Sequence, residues 1–438
     1  MKANPGGEIA SAEVMGRDKL ISDLWGILEQ QSVMLSAERR MGKTSVIKKM
    51  RSDATPDKLP IYRDLEDVKS PIEFVNTVFQ DVKAYLTRLN RTTKKTHELL
   101  TKLGGAEFSG FKLPDIAAPH WKELLIETIA DLVENQDSTL IFFWDELPYM
   151  LRNIGDESAM ELLDTLRSIR QMYPRVRMVY TGSIGLHHVI ADLRKVGYTN
   201  DPTNDMYPQD VPPLSAKDAT TLARKLLEGE NIVTPDIQGT AVAIADELSN
   251  IPFYIHHLIV KLKLRGGSAD IQAIKAIIAD SLDDPMNPWK MEHYAERIDS
   301  YYDEKQRPYA RNLLDILAVA NQPLLFDELF NRLKEESDTQ DKEIARKVLT
   351  LLQKDYYIQK KILEILEMLR AGTGGHRPYS LYQIRLHRND INGEDGGDGS
   401  AVSLQLIAVG TRHCRLLYII PAQPELILLV PRQSRGTS

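Results

Sequence analysis

The stretch Val33-Met34-Leu35-Ser36-Ala37-Glu38-Arg39-Arg40-Met41-Gly42-Lys43-Thr44-Ser45 restricts the fold of this chain more than any other part of it. Its apolar run reads as a buried strand, which breaks into a polar turn and then into Gly42-Lys43-Thr44-Ser45 at the head of a helix. A strand that stops just short of a helix N-terminus gathers several backbone N–H groups around one point, and that point suits an anion. The spacing is that of a P-loop: Ala37 to Ser45 would wrap phosphates, with Lys43 reaching the β- and γ-phosphates and the Thr44 hydroxyl ligating Mg²⁺. Ala37 stands where the first glycine of the pattern falls, a place alanine tolerates while φ stays negative. On this stretch alone an ordinary strand–turn–helix remains open.

A hundred residues on, Thr139-Leu140-Ile141-Phe142-Phe143-Trp144 runs without a polar break from Leu140 into Asp145-Glu146. Such a run predicts a central parallel strand covered on both faces, with two carboxylates at its C-terminal end, where open α/β sheets bind ligands. This is the Walker B pattern. Asp145 would hold the Mg²⁺ of a bound ATP, and Glu146 would orient the water that attacks the γ-phosphate. The plainer alternative is a helix N-terminus carrying two acids for its dipole.

With 438 residues the chain predicts two or three domains, and its net charge of −7 disfavours a large nucleic-acid footprint, so any contact with duplex DNA must be local. Cys414 is the single cysteine, which excludes an internal disulfide and a multi-cysteine zinc site. No run approaches the roughly 18 apolar residues that span a bilayer, and Met1 to Gly7 lacks a signal-peptide core. No membrane association and a cytoplasmic location are the expectation.

Taken in order, Leu20, Ile21, Leu24, Ile27 and Leu28 line one face of a first helix, and 59–64 reads as a second strand. Ser70-Pro71-Ile72-Glu73 is a helix start. Residues 90–118 break the pattern and read as an insertion on the sheet edge, with Phe108 to Leu113 as a hairpin arm. A helix from Ser158 to Met172 turns Leu162, Leu163, Leu166 and Ile169 inward and carries Arg167 and Arg170. Either arginine is a candidate to reach a neighbouring copy's γ-phosphate, against the alternative of a solvated face. The strand at 175–181 ends in Gly182-Ser183, and past Pro212-Pro213 the pattern becomes helical, with helices near 215–230, 236–249, 252–264 and 269–281.

Residues 287–358 predict three amphipathic helices joined at Asn321-Gln322-Pro323 and Ser337-Asp338-Thr339, the order of a winged helix-turn-helix. The third would bury Ile344, Val348, Leu351 and Leu352 and show Lys342, Arg346 and Lys347 to duplex DNA, although eleven basic residues meet eleven acids between Asp303 and Lys361. Three-helix packing without DNA therefore stands beside groove recognition. The tail from about 359 carries a helix from Lys361 to Arg370, glycine-rich runs at 372–375 and 393–400 and strands at 402–409 and 415–420, and is either a β-rich addition or sequence foreign to the rest.

Together the two motifs, Gly16-Arg17, Tyr180-Thr181-Gly182-Ser183 and the later helices resemble the archaeal-type ATPase family, close to the origin-recognition-like AAA+ and the STAND NTPases. The resemblance covers about residues 10–358. It implies an α/β fold, a P-loop NTPase parallel sheet flanked by helices at 10–212, followed by an all-α lid at 213–285, a winged helix-turn-helix domain at 286–358 and an uncertain tail at 359–438. It further implies that Arg17 packs near the adenine, that Ser183 senses the γ-phosphate or the lytic water, with capping of the following helix as the alternative, and that Asn250-Ile251-Pro252 stands in for a Gly-x-Pro turn against the nucleotide. The expected function is a slow ATPase acting as a switch that assembles on DNA, on itself or on a protein partner. The alternatives are a regulatory ATP-binding module without DNA binding and, third, a metabolic kinase.

Overall fold

A computed structural model of the protein describes residues 1–88, 98, 119–182, 185–286, 288–320, 324–336, 341–362, 380–384, 404–411 and 414–421. Outside these lie Ser183, nearly all of the insertion at 90–118, both expected junctions at 321–323 and 337–339, the helix expected beyond Ile362, and the glycine-rich runs. The chain forms two compact units, 1–229 with 251–257, and 230–250 with 258–438.

The first unit is built on five parallel strands: β1 (Ser32–Ser36), β2 (Lys58–Asp64), β3 (Thr139–Asp145), β4 (Val176–Tyr180) and β5 (Met206–Asp210). They lie in the order β2-β3-β4-β1-β5. Helices α1 (Asp18–Leu28), α2 (Lys43–Ser52), α3 (Pro71–Arg88), α4 (Trp121–Glu134), α5 (Leu147–Asn153), α6 (Asp156–Met172), α7 (Leu186–Lys195) and α8 (Ala216–Gly229) accompany them. The unbroken apolar run of β3 has the cause expected of it, because both faces are covered. Phe142 and Trp144 point one way and stack at 5.2 Å, with Phe74 edge-on to Trp144 at 5.2 Å, while Phe143 points the other way toward Trp25 of α1 at 6.5 Å. Each such side chain removed from water contributes about 1.5–3 kcal/mol, which makes β3 the best anchored strand of the sheet. Helix α3 starts as its sequence predicts: the Glu73 N–H donates to Ser70 Oγ (3.3 Å) and the Lys69 N–H to Glu73 Oε2 (2.8 Å), around Pro71 at the first position.

Strand β4 matters for function because it separates β1 from β3, pairing Val179 with Val33 on one side and with Phe143 on the other. The two motif-bearing strands therefore end on either side of the tip of β4, and the turn that leaves it at Thr181-Gly182 falls between them.

The second unit comprises α9 (Ile237–Glu247), most of α10 (Pro252–Arg265), α11 (Ile271–Asp283), α12 (Glu292–Tyr301), α13 (Gln306–Val319), α14 (Phe326–Glu336) and α15 (Lys342–Lys354). Its strands are β6 (Leu324–Leu325), β7 (Ile358–Ile362), β8 (Ser380–Ile384), β9 (Leu404–Thr411) and β10 (Cys414–Pro421). β6, β8 and β7 form one antiparallel sheet and β9 pairs with β10 in another. Lys361 and Ile362, expected to begin a helix, are strand, because pairing with Leu381 and Ser380 of β8 overrides local helical pattern. Helix α15 is also rotated relative to expectation. It buries Ala345, Val348, Leu349 and Leu352, which leaves Ile344 and Leu351 only partly covered at the rim. No helix among the described residues is long and apolar enough to cross a membrane.

Candidate phosphate-binding site

Strand β1 ends at Ser36, and the chain turns through Ala37–Met41 to Gly42, the residue that caps α2. Gly42 has φ 87°, a left-handed value that side chains rarely adopt, and a Cβ there would meet only Ser45 Cβ at 3.9 Å. Backbone conformation, and not crowding, is what requires glycine at this point. The second left-handed residue of the turn is Arg40, at φ 72°; Ala37 is not left-handed, so alanine serves in place of the usual glycine. No side chain caps α2, so its first N–H groups point into the turn with no partner of the helix's own. Lys43 Nζ donates across the turn to the Ala37 carbonyl at 3.0 Å, which aims the ammonium into the cradle.

The second motif arrives from β3. The Thr44 hydroxyl donates to Asp145 Oδ2 at 2.6 Å, joining the two motifs across 101 residues of sequence. Asp145 is buried, and burial pushes its carboxyl above the usual range; the Thr44 hydrogen bond opposes this and nearby Asp64 adds to it. A hydroxyl and a carboxylate with only oxygen donors fit a hard divalent cation such as Mg²⁺, whose charge would reverse that upward shift. Burial and the same Asp145 raise the Tyr62 phenol as well. Tyr62 and Asp64 are neighbours of the site that belong to no motif; they come to it because β2 pairs in register with β3, Asp64 opposite Asp145.

Glu146 follows at φ 56°, an uncommon conformation for a residue with a side chain, costing about 1–3 kcal/mol and concentrated at working sites. Its own N–H donates to Asp145 Oδ1 at 3.2 Å. Gly182 is required opposite it, because a Cβ there would lie 2.7 Å from Pro148 Cδ and 3.5 Å from Glu146 Oε2. The neighbouring Thr181 hydroxyl is buried without a hydrogen-bond partner among the described residues. It is the polar group at the tip of β4 that the structure does describe, Ser183 lying outside.

The remaining expected residues divide. Arg17 is buried and sends its two terminal nitrogens to different carbonyls, Met41 O in the turn (2.7 Å) and Pro212 O (2.7 Å). Burial draws its pKa down to about 10 against the pull of Asp218, and it stays charged at neutral pH. Arg40 leaves the cradle to lie over the Phe253 ring at 4.3 Å. Glu38 and Arg39 are half-buried at the start of the turn, and Ser45 follows on α2. Arg170 is placed away from any reaching role: its guanidinium is buried, paired in two-pronged fashion with Asp205 (2.8 Å each), and bonded to Tyr180 Oη (2.6 Å) and Pro202 O (2.7 Å). Arg167 donates to the Asp201 carbonyl at 3.1 Å on the outer face of α6. In the second unit Lys342 is paired with Asp327 (2.7 Å) and Arg346 with Glu343 (2.7 Å), whereas Lys347 is exposed. Asn250 takes φ 59°, the left-handed geometry that asparagine adopts most readily after glycine.

Behind Met41 and Gly42 the first unit holds a cavity of about 180 Å³, walled by Val14, Met15, Leu214 and Phe253 and also touched by Arg17 and His256. The mostly apolar wall beside a phosphate-type cradle suits a flat heterocycle.

No family model matches the chain, and neither does any curated protein sequence. Among solved structures, the Walker-type ATPase PABY2304 of Pyrococcus abyssi is similar with a TM-score of 0.59 at 16% identity, over 88% of this chain and 97% of that one. Lower on the scale stand the Aeropyrum pernix ORC1 protein in complex with DNA (TM-score 0.37, 14% identity, 85% and 89%) and a Thermotoga maritima RuvB mutant (0.36, 10%, 83% and 98%). With the strand order and both motifs in place at the ends of β1 and β3, the fold of this chain is that of a P-loop NTPase, a five-stranded parallel sheet flanked by helices.

Proposed function

We propose that the protein is a cytoplasmic ATPase that binds Mg-ATP at the turn between β1 and α2, hydrolyses it slowly, and uses the bound nucleotide as a switch. The observation that carries this reading is the 2.6 Å hydrogen bond between Thr44 Oγ1 and Asp145 Oδ2, beside an ammonium already aimed into the cradle. In this reading 10–212 is the ATPase core and 213–285 the lid. Residues 286–358, extended by β7 and β8, are a winged helix. Thr44 and Asp145 hold Mg²⁺, which when bound neutralises charge on the β- and γ-phosphates. Lys43 and the first N–H groups of α2 bind the phosphates. Glu146 accepts a proton of the attacking water and orients it. Arg167 is the remaining candidate to act on a neighbouring copy.

Calorimetric titration of ATP with and without Mg²⁺ tests the assignment. Thr44→Val, which keeps the shape and removes the hydroxyl, is expected to weaken Mg-ATP binding about tenfold or more while leaving metal-free ATP binding in place. Equal affinities for wild type and variant in the presence of Mg²⁺ would show that the hydroxyl holds no metal.

A second reading, duplex DNA at α15, is supported by the order of α13, α14 and α15 with the β6-β8-β7 sheet and by the exposure of Lys347. The local ion pairs of Lys342 and Arg346 oppose it, since phosphate must displace Asp327 and Glu343. Binding is expected to be weak, with a log–log salt slope of about −0.9 if Lys347 acts alone and about −2.7 if all three cations reach phosphates. An Arg346→Ala, Lys347→Ala double variant that binds DNA as well as wild type, with ATP or without, would assign α15 to protein contacts instead.

A further inference from the structure

Residues 1–14 form no long element among the described residues, yet they are tied across the first unit at several points. Lys2 Nζ donates to the Gly229 carbonyl, Glu8 pairs with Lys48 of α2 at 3.0 Å, and Lys49 Nζ reaches the Ser11 carbonyl at 3.4 Å. The tie that matters here is the backbone N–H of Asn4, which donates to His256 Nδ1 at 3.1 Å. Asn4 and His256 both line the cavity behind the phosphate turn.

A ring nitrogen that accepts an N–H carries no proton, so in the neutral imidazole the proton sits on Nε2 and makes that atom a donor. His256 stays neutral near pH 7, because burial holds its pKa down at about 4. The residue is 2% exposed, it lines the cavity, and Nε2 meets no protein partner among the described residues. A mostly apolar slot thus presents a donor whose direction and tautomer are set from behind by the backbone of the N-terminal segment. Purine rings offer unprotonated ring nitrogens as acceptors in their plane, and a site built to donate rejects a ligand that leaves the donor unmatched.

We infer that His256 Nε2–H donates to a ring nitrogen of a bound purine base, with the Asn4 N–H as the group that fixes the donating tautomer, so that residues 1–14 take part in base recognition. This rests on the reading of the turn as an ATP phosphate site, and the test separates the two.

The experiment measures binding of ATP and of inorganic tripolyphosphate, both with Mg²⁺, to the full chain carrying wild-type His256, His256→Phe or His256→Gln. Phenylalanine fills the space without a donor, while glutamine places an amide N–H near the position of Nε2. Loss of one hydrogen bond to a buried donor predicts about tenfold weaker ATP binding for the Phe variant. The Gln variant should stay within about threefold of wild type, and tripolyphosphate should bind all three alike, which also reports that the turn is folded. ATP affinity unaffected by Phe, or Gln as weak as Phe, with tripolyphosphate still bound, would overturn the inference and leave the phosphate site standing. Failure of wild type to bind either ligand would overturn the phosphate site and this inference with it.

Discussion

Lys43→Ala is expected to abolish measurable Mg-ATP binding. An ammonium about 4 Å from a phosphate charge in a half-buried turn is worth roughly 4 kcal/mol at an effective dielectric of 20, close to a thousandfold in affinity. Two nearby cations are already engaged: Arg40 lies over Phe253 at 4.3 Å, and both terminal nitrogens of Arg17 are taken by the Met41 and Pro212 carbonyls. The Lys43–Ala37 hydrogen bond that the variant removes is worth about 0.5–1.5 kcal/mol net, and a folding control accompanies the binding measurement. Calorimetry gives the affinity and thermal unfolding the control. A variant that binds ATP like wild type would show the turn to be an ordinary connection between strand and helix.

Glu146→Gln is expected to slow ATP turnover by roughly two to four orders of magnitude while ATP remains bound. The two carboxylates of this motif sit in different settings, and those settings divide the work. Asp145 is buried and hydrogen-bonded to Thr44, whereas Glu146 stands at the turn out of β3 with its backbone held left-handed at φ 56°. The amide of glutamine keeps the size and loses the ability to take a proton from water. Single-turnover phosphate release, with retention of radiolabelled ATP as the companion measurement, separates chemistry from binding. Normal turnover by the variant would remove Glu146 from the reaction and turn attention to the buried Thr181 hydroxyl, which has no hydrogen-bond partner among the described residues.

The parts of the candidate site legible in the sequence are those whose residues are neighbours in the chain as well as in space. Gly42-Lys43-Thr44 and Asp145-Glu146 are short runs whose chemistry is local, and the apolar run of β3 announced its own burial. Arg170 was misjudged because helical periodicity does not show that Asp205 and Tyr180, 35 and 10 residues away in sequence, close around a guanidinium. The face of α15 was off by about one position because Ile344 and Leu351 look as apolar as Ala345 and Leu349, and only packing distinguishes them. Strand β7 was hidden because its partner, β8, lies across a long stretch of chain, and a ladder between distant segments leaves little local trace. His256 belongs to no motif, because its partner is a backbone N–H that has no signature in the sequence.

The tethers on the turn between β1 and α2 have a consequence for the entropy of binding. Arg17 grips the carbonyl of Met41, Lys43 bridges to that of Ala37, and Arg40 lies over Phe253, so three positions of the turn are held by the protein's own contacts. Ordering a free backbone loses about 1–2 kcal/mol per residue, and here that loss falls on folding and is not repeated at each encounter with nucleotide. Arrival of a phosphate then draws the Lys43 ammonium from the Ala37 carbonyl to the ligand. Association should accordingly be governed by diffusion and charge, with little waiting for the turn to find its shape.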